Sequence, residues 1–343
     1  MAYLDVPTRG VVPKGIVPYR PHRKTRKTVD RIIDLYRRMK AADALPLGPR
    51  TVGYRLKENY VGEYTKKDFP AVGNIVKRLE QAGEIEWEWV ADGAAVTYEA
   101  DGWSGPTEFL ADVPSFYHRD RREGQQTVVE IYAEARETLS LIHRLGTERG
   151  VTVYSGGGSC GPNLARKVAV RAVRRAVERG QSTLILGICD FDQAGIRNVL
   201  RPHIEHVSAF LYGTADNKQV LAIEDDAGAL TRMEDIAPTV SFRHLGLTPE
   251  MAIGLVETEQ DRERIDGYIA SGSDIWDRDL DLLEHMQKIE TEALDPVVLR
   301  DLVVDAIEEI IDTEKLAAVV EEERQELAEL NSCLGEISRG WRR

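Results

Sequence analysis

Two carboxylates, Asp190 and Asp192, are the residues whose type and spacing point most directly to chemistry. They follow an unbroken run of apolar and small residues, 184–189, which predicts a buried strand. Alternate residues of a strand face the same side, so the two carboxylates would lie about 6 to 7 Å apart on one face. Such a pair invites a hard cation, and Mg²⁺ binds one or two carboxylates together with phosphate oxygens. The competing interpretation is a pair of solvated loop acids.

A strand, a helix and a second strand precede this pair and position a third acid. Residues 127–134 alternate as a strand, a second strand follows at 151–154, and a glycine loop, 155–161, leads into an amphipathic helix. Strands that alternate with helices form parallel sheets, whose ligands gather at the carboxyl ends of the strands. Glu134 closes the first strand there, so we favour it over Glu130 as a ligand or proton carrier beside the aspartates.

The first part of the chain is basic, although the protein as a whole is acidic. Residues 1–80 contain 18 Lys and Arg against 8 Asp and Glu, whereas the full chain has a net charge of −13. Helices are predicted near 29–40, 51–58 and 70–82, followed by Gly83 and a Trp-rich hairpin, which is the order of a winged helix. We therefore expect double-stranded DNA as a partner. The side chains expected to contact its phosphates are Arg23, Lys24, Arg26 and Lys27.

The predicted fold class is α/β, with an N-terminal winged-helix domain, a parallel-sheet domain and C-terminal helices. The expected parts are a basic arm (1–24), the winged helix (25–100), a linker (101–125), the parallel-sheet domain with its helical elaboration (126–312) and an amphipathic helix (313–343). In that last helix apolar residues recur at heptad spacing, with an interruption at Glu323. This pattern is typical either of a helix that pairs in a dimer or of one that packs on its own domain.

The order of the acidic segments resembles a known fold. A glutamate closing one strand, a glycine loop after the next and Asp-Phe-Asp-x-x-Gly after the third resemble the Toprim fold of topoisomerases and primases. Residues 50–56 resemble the Arg-x-x-Tyr-Tyr segment in the winged-helix domain of the topoisomerase VI A subunit and the meiotic double-strand-break transesterases. Segments similar to a shorter bacterial and phage branch of that family are 79–92, 125–134, 245–250 and 292–307.

This resemblance implies a mechanism and partners. In the family the second tyrosine of the motif attacks DNA, and it falls on Tyr54; Arg50 and Arg55 would then be the cations beside it and on DNA. Mg²⁺ would be held by Glu134, Asp190 and Asp192. In that family the tyrosine of one subunit meets the metal of the other, so the resemblance implies a homodimer; a separate ATPase subunit is a further implication.

Three alternatives to that mechanism stay open. Tyr54 could be a core tyrosine of a recognition helix. The chain could be a Toprim endonuclease of a defence or plasmid-control complex, with water as the nucleophile. It could also be an inactive DNA-binding scaffold, because Ala135 stands where the family has a lysine.

The composition bears on location. No apolar run approaches the roughly 18 residues that a membrane-spanning helix needs, and the first residues lack the apolar core of a signal peptide. We therefore expect a protein of the cytoplasm, associated with the nucleoid and not with a membrane.

Overall fold

The computed structural model describes most of the 343 residues. The described ranges are 19–91, 102–156, 162–192, 195–212, 222–224, 230–232, 240–270 and 286–341. Three predicted features therefore lie partly outside the described residues. They are the arm before residue 19, the end of the Trp-rich hairpin at 92–101 and the glycine loop at 157–161.

The N-terminal region contains the three predicted helices. They are α1 (Arg23–Ala41), α2 (Pro49–Asn59) and α3 (Phe69–Ala82). Their apolar faces bury Ile32 and Val76 completely, forming a small core separate from the main one. Because α1 already begins at Arg23, the four basic side chains expected on an arm lie on the first turns of a helix.

The Trp-rich segment does not form the predicted hairpin over its described residues. Trp87–Trp89 is a short 3₁₀ helix, and the backbone after it pairs with Leu47. Leu47 donates to the Trp89 carbonyl at 2.9 Å and accepts from the Ala91 amide at 3.0 Å. The Trp89 ring stacks on Tyr36 at 6.4 Å between centroids. Packing against α1 therefore decided the conformation of a segment whose residue types favour a strand.

The predicted linker contains a helix, α4 (Pro106–Phe116), which packs against the long C-terminal helix. The sequence had shown this region only as a connection between domains. Phe109 and Phe116 of α4 surround the Trp103 ring at 4.9 and 6.1 Å between centroids. This aromatic cluster explains why the segment is helical.

A four-stranded, entirely parallel sheet forms the centre of the second region, which confirms the α/β class. Its strands are β1 (Thr127–Ala133), β2 (Thr152–Tyr154), β3 (Ser182–Ile188) and β6 (Val240–His244), in the order β2-β1-β3-β6; β4 (Ala222–Glu224) and β5 (Leu230–Arg232) form a separate antiparallel pair. Ala133 pairs with Ile188, so β1 and β3 end level with each other. The residues that follow these two strands are therefore neighbours.

Helices surround the sheet. They are α5 (Arg136–Thr147), α6 (Pro162–Arg179), a π-helix (Gly195–Leu200), α7 (Arg201–Tyr212), α8 (Pro249–Ala252), α9 (Glu259–Ala270), α10 (Pro296–Glu308) and α11 (Thr313–Trp341). Ile131, Ala169 and Val303 are fully buried in the main core, which shows that a strand, α6 and α10 pack together. None of the described helices is both long and apolar enough to cross a membrane.

The predicted C-terminal helix is present, and its heptad residues differ in burial: Leu327, Leu330 and Leu334 are partly buried. Glu323, which interrupts the heptad, is only 7% exposed. It accepts from the Arg119 amide at 2.6 Å and from the Arg121 guanidinium at 2.7 Å. The heptad residues Val320 and Ile337 are 42% and 45% exposed. Glu323 therefore helps to hold the helix to its own chain, together with the buried Val319 and with Leu316, which packs against the main core.

Candidate active site

Three carboxylates converge where β1 and β3 end. The Glu134 amide donates to the Ile188 carbonyl at 2.9 Å, and the Glu134 side chain accepts from the Asp190 amide at 3.1 Å. A methyl group placed on Gly195 would lie 3.2 Å from both Asp192 Oδ1 and Glu134 Oε2. The structure thus brings together the three acids that the sequence selected, around a position where only glycine leaves room.

Glu130, the rival on the same strand face, lies elsewhere. It is completely buried and forms ion pairs with Arg171 at 2.7 Å and Arg175 at 2.6 Å. Both oxygens of this buried carboxylate accept hydrogen bonds from the two arginines, which joins α6 to β1. The preference for Glu134 therefore agrees with the geometry.

A side-chain cation, which no sequence motif indicates, already binds the acidic cluster. The Lys288 ammonium lies 2.8 Å from Asp190 Oδ2 and 3.9 Å from Asp192 Oδ2. Thr291 donates its amide and its hydroxyl to Asp190 Oδ1, at 2.9 and 3.1 Å. Ile289 pairs with Phe191 through a β-bridge. We call residues 286–295 the bridging segment, because it joins this cluster to the N-terminal helices.

Negative charge predominates in the acidic cluster, and the pKa values of Glu134 and Lys288 reflect it. The pKa of Glu134 is raised, first by burial and then by the charge of Asp190. Burial opposes the charged form of Lys288, yet contact with Asp190 and the nearby acids outweighs it, so the pKa of Lys288 is raised as well. Three carboxylates against one ammonium leave an excess of negative charge at this edge of the sheet.

The donor set fits a hard divalent cation. Carboxylate oxygens are the ligands that Mg²⁺ prefers, and the excess negative charge would favour it. Within the described part of the chain, no three His, Cys, Asp or Glu side chains are grouped as a ready ligand set; here the acids bind Lys288, Thr291 and backbone amides instead. Glu134, Asp190 and Asp192 are the residues that would hold the ion.

Tyr54 is mostly buried, and its hydroxyl is bound to a carboxylate. The side chain is 6% exposed, and the phenol donates to Glu290 of the bridging segment. Arg50 donates to the other oxygen of Glu290. Burial, followed by the contact with Glu290, raises the pKa of Tyr54. The ring of Phe69 packs edge-on against Tyr54 at 4.8 Å, where Gly53 leaves room for it.

The two arginines that flank Tyr54 have different environments. The Arg50 side chain is half exposed, and its charge faces Glu290. Arg55 is only 3% exposed and donates to the Ala293 carbonyl and to Asp295. Arg55 therefore holds α2 on the bridging segment. This burial does not fit the predicted contact of Arg55 with DNA.

Two cavities adjoin the phenol. One, of about 290 Å³, is lined by Tyr54, Lys57, Lys66 and Lys288, among others. The other, of about 480 Å³, is lined by Arg50, Lys66, Lys77 and the Tyr54 ring. The second cavity has three basic side chains against the single acid Glu290, whereas Glu58, Glu257 and Glu290 offset most of the positive charge of the first. Because Lys288 lines the first cavity and also binds Asp190, that cavity adjoins the acidic cluster.

The basic side chains at the start of α1 are available to a partner. Arg23, Lys24, Arg26 and Lys27 are all exposed. Among the residues that the structure describes, Lys27 is the one of these four with an ion pair, to Glu63 at 2.9 Å. These residues lie on one short helical stretch, so they can act together on a polyanion.

Glu292 gives a pH-dependent prediction about stability. Burial, followed by the charges of Asp190 and Glu137, raises the pKa of this carboxyl to about 7. The folded chain thus keeps a proton that the unfolded chain releases near pH 4.5, so the free energy of unfolding falls as pH rises from about 4.5 to 7. We expect Glu292→Gln to reduce this fall by up to about 3 kcal/mol.

Urea unfolding of both proteins at pH 5 and pH 8 measures this difference. Glu329→Gln, at an exposed position of α11, is the control and should change nothing. An unchanged pH dependence in Glu292→Gln would show that this carboxyl is ionised in the folded protein at pH 5.

The chain matches no protein-family model, and no curated protein is significantly similar to it. Its function must therefore be argued from the site itself.

Proposed function

We propose that this protein is a Mg²⁺-dependent DNA-cleaving enzyme of the topoisomerase VI A type, in which Tyr54 attacks a DNA phosphodiester. One observation carries the proposal. The bridging segment binds the Tyr54 phenol through Glu290 and the acidic cluster through Lys288 and Thr291. The proposed nucleophile and the proposed metal ligands are therefore linked by four consecutive residues of the same chain.

The contacts of Tyr54 suggest how it would be activated. Glu290 accepts the phenol hydrogen in the structure, so it is the group that would take the proton as the phenol oxygen bonds to phosphorus. Arg50 stabilises the charge of Glu290 before the transfer. The departing sugar oxygen would take a proton from solvent. A bound Mg²⁺ would polarise the phosphate and stabilise its developing charge.

The wider assignment joins this site to the domains. We propose that α1 to α3 are the helices of a winged-helix domain and that the parallel sheet belongs to a Toprim domain. The exposed basic side chains of α1 support double-stranded DNA as the partner. A homodimer, a separate ATPase subunit and a place in the cytoplasm at the nucleoid are proposed from the resemblance.

A second function, a metal-dependent endonuclease that uses water, is favoured by one observation. The pKa of Tyr54 is raised, so the phenolate is harder to form than for an exposed tyrosine. The acidic cluster needs no tyrosine to activate water. A scaffold without catalytic activity is the third proposal, and it differs from both in showing no metal-dependent cleavage.

Cleavage of supercoiled plasmid in Mg²⁺, stopped with detergent and analysed with and without protease, tests the leading proposal. Protein that stays covalently bound to the cut DNA supports the tyrosine mechanism. Cut DNA that is free of protein supports the endonuclease instead.

DNA binding itself gives a prediction. Replacing Arg23, Lys24 and Arg26 together by alanine should weaken binding to duplex DNA of any sequence. The slope of log affinity against log salt should become shallower by up to about 2.7, since each lost phosphate contact removes about 0.9. Titrations of labelled duplex between about 50 and 200 mM salt measure it. Arg324→Ala, on the acidic α11, is the control. If the triple variant and the parent show the same slope of log affinity against log salt, α1 is not part of the DNA interface.

A further inference from the structure

The Lys288 ammonium lies beside Asp190 and Asp192, where its positive charge offsets their negative charge. The ammonium contacts Asp190 directly and lies 3.9 Å from Asp192, while half of the lysine side chain stays exposed. It reaches the acids from the wall of the cavity that also contains Tyr54 and Lys66. One side chain thus belongs both to the acidic cluster and to the cavity beside Tyr54.

Contacts other than this ion pair hold Asp190 and the backbone near Lys288 in place. Asp190 is fixed independently, because Thr291 donates two hydrogen bonds to its other oxygen. The backbone of Ile289 is fixed by its bridge to Phe191. An ion pair with a half-exposed lysine contributes little to stability. A contribution to folding stability therefore does not account for the position of the ammonium.

A divalent cation and this ammonium cannot both bind the same carboxylate oxygens. At a few ångströms the repulsion between them is several kcal/mol, even at the effective dielectric constant of about 20 found near protein surfaces. Lysine is a point charge on a flexible four-carbon stem, so the ammonium can leave while its backbone stays in place. The space beside it is the cavity lined by Tyr54.

We propose that Lys288 is a resident counter-ion of the acidic cluster, displaced when a divalent cation binds, and that the released ammonium then contacts a phosphate of DNA in the cavity beside Tyr54. The divalent cation would therefore add its own charge and also free a positive side chain for the substrate. This inference rests on the proposed metal site, but it holds whether Tyr54 or water is the nucleophile.

Calorimetric titration of the full chain with Mg²⁺, in the absence of DNA, tests the exchange. Lys288→Met removes the competing charge and keeps much of the apolar stem, so Mg²⁺ should bind about tenfold more tightly or better. Lys288→Arg keeps the charge and should show no such gain. The matched control is Lys57→Met, which removes a lysine from the same cavity that pairs with Glu257 and not with the cluster. Lys288→Gln serves as a second neutral variant if Lys288→Met does not fold.

The results separate this inference from the proposed function. Mg²⁺ binding by the parent with the same affinity in the neutral Lys288 variants would overturn the counter-ion role and leave the metal site standing. Absence of Mg²⁺ binding in both the parent and those variants would overturn the metal site and the inference together. Tighter binding in Lys57→Met as well would show a general charge effect, and it would also overturn the specific role.

Binding of duplex DNA tests the second half of the proposal. Ca²⁺, another oxygen-liganded cation of the same charge, replaces Mg²⁺ in this measurement. At constant ionic strength it should strengthen DNA binding by the parent more than by Lys288→Met. An equal gain in both proteins would show that the released ammonium does not reach the phosphate.

Discussion

Asp192→Asn is expected to reduce Mg²⁺-dependent DNA cleavage at least about a thousandfold, because the charge that holds the cation and stabilises the transition state is lost. The fold should remain intact. Within the described residues, Asp192 Oδ1 accepts a local hydrogen bond from the Gly195 amide, and asparagine keeps that acceptor. Initial rates of plasmid cleavage across a range of Mg²⁺ concentrations give the result.

Asp190 is a poorer choice for this test, although the sequence alone makes the two acids equivalent. From sequence, loss of either carboxylate should only relieve repulsion. The structure corrects this for Asp190, which is 6% exposed and binds Thr291 and Lys288. Alanine there would leave a buried amide of Thr291 without its acceptor, at a cost of about 1 to 3 kcal/mol. The Asp192 variant separates chemistry from stability.

The matched control for Asp192→Asn is Asp266→Asn, on the exposed face of α9, which should cut like the parent. If Asp192→Asn also cuts at the parental rate, the three carboxylates are not the metal site.

Tyr54→Phe is expected to eliminate both strand scission and covalent attachment to DNA, the second large effect. The substitution removes one oxygen and keeps the ring that packs on Phe69. Glu290 would lose one donor and keep Arg50, so the loss of stability should be about 1 kcal/mol. DNA affinity should stay nearly unchanged, since the phenol contributes no charge. The detergent-stopped plasmid assay reads scission and attachment in the same samples.

A second tyrosine, at the C-terminal end of α2, provides the control. Tyr60 follows α2, and the centroid of its ring lies 3.4 Å from the guanidinium carbon of Arg31, away from Glu290. Tyr60→Phe should cleave and attach like the parent. Efficient cutting by Tyr54→Phe, within about tenfold of the parent, would instead assign the nucleophile to water.

Local patterns in the sequence predict the elements that carry the acids. The alternation of 127–134 and the apolar run before Asp190 depend only on neighbouring residues, and β1 and β3 are present there. The parallel βαβ order then places Glu134 beside Asp190 without any knowledge of distant contacts. For the same reason α2 and α3 are predicted within two residues of their ends, whereas α1 begins at Arg23, six residues before its predicted start.

Contacts between distant residues could not be predicted in this way. Tyr54 and Glu290 are 236 positions apart, and Asp190 and Thr291 are 101 apart. Neither Lys288 nor Glu290 belongs to a motif, and each looks like an ordinary surface charge. Burial likewise decides the roles of Arg55 and Glu323, whose types predict exposure. The missing part of the site is therefore the part made by the bridging segment.

The most direct test of the central claim is to identify the residue that DNA becomes attached to. The protein is incubated with duplex DNA and Mg²⁺, denatured with detergent, and digested with nuclease and then trypsin. Mass spectrometry should find a nucleotide on the peptide of residues 51–55, which lies between Arg50 and Arg55 and contains Tyr54. Cut DNA without any nucleotide on that peptide, or a nucleotide on another residue, would contradict the assignment of Tyr54 as the nucleophile.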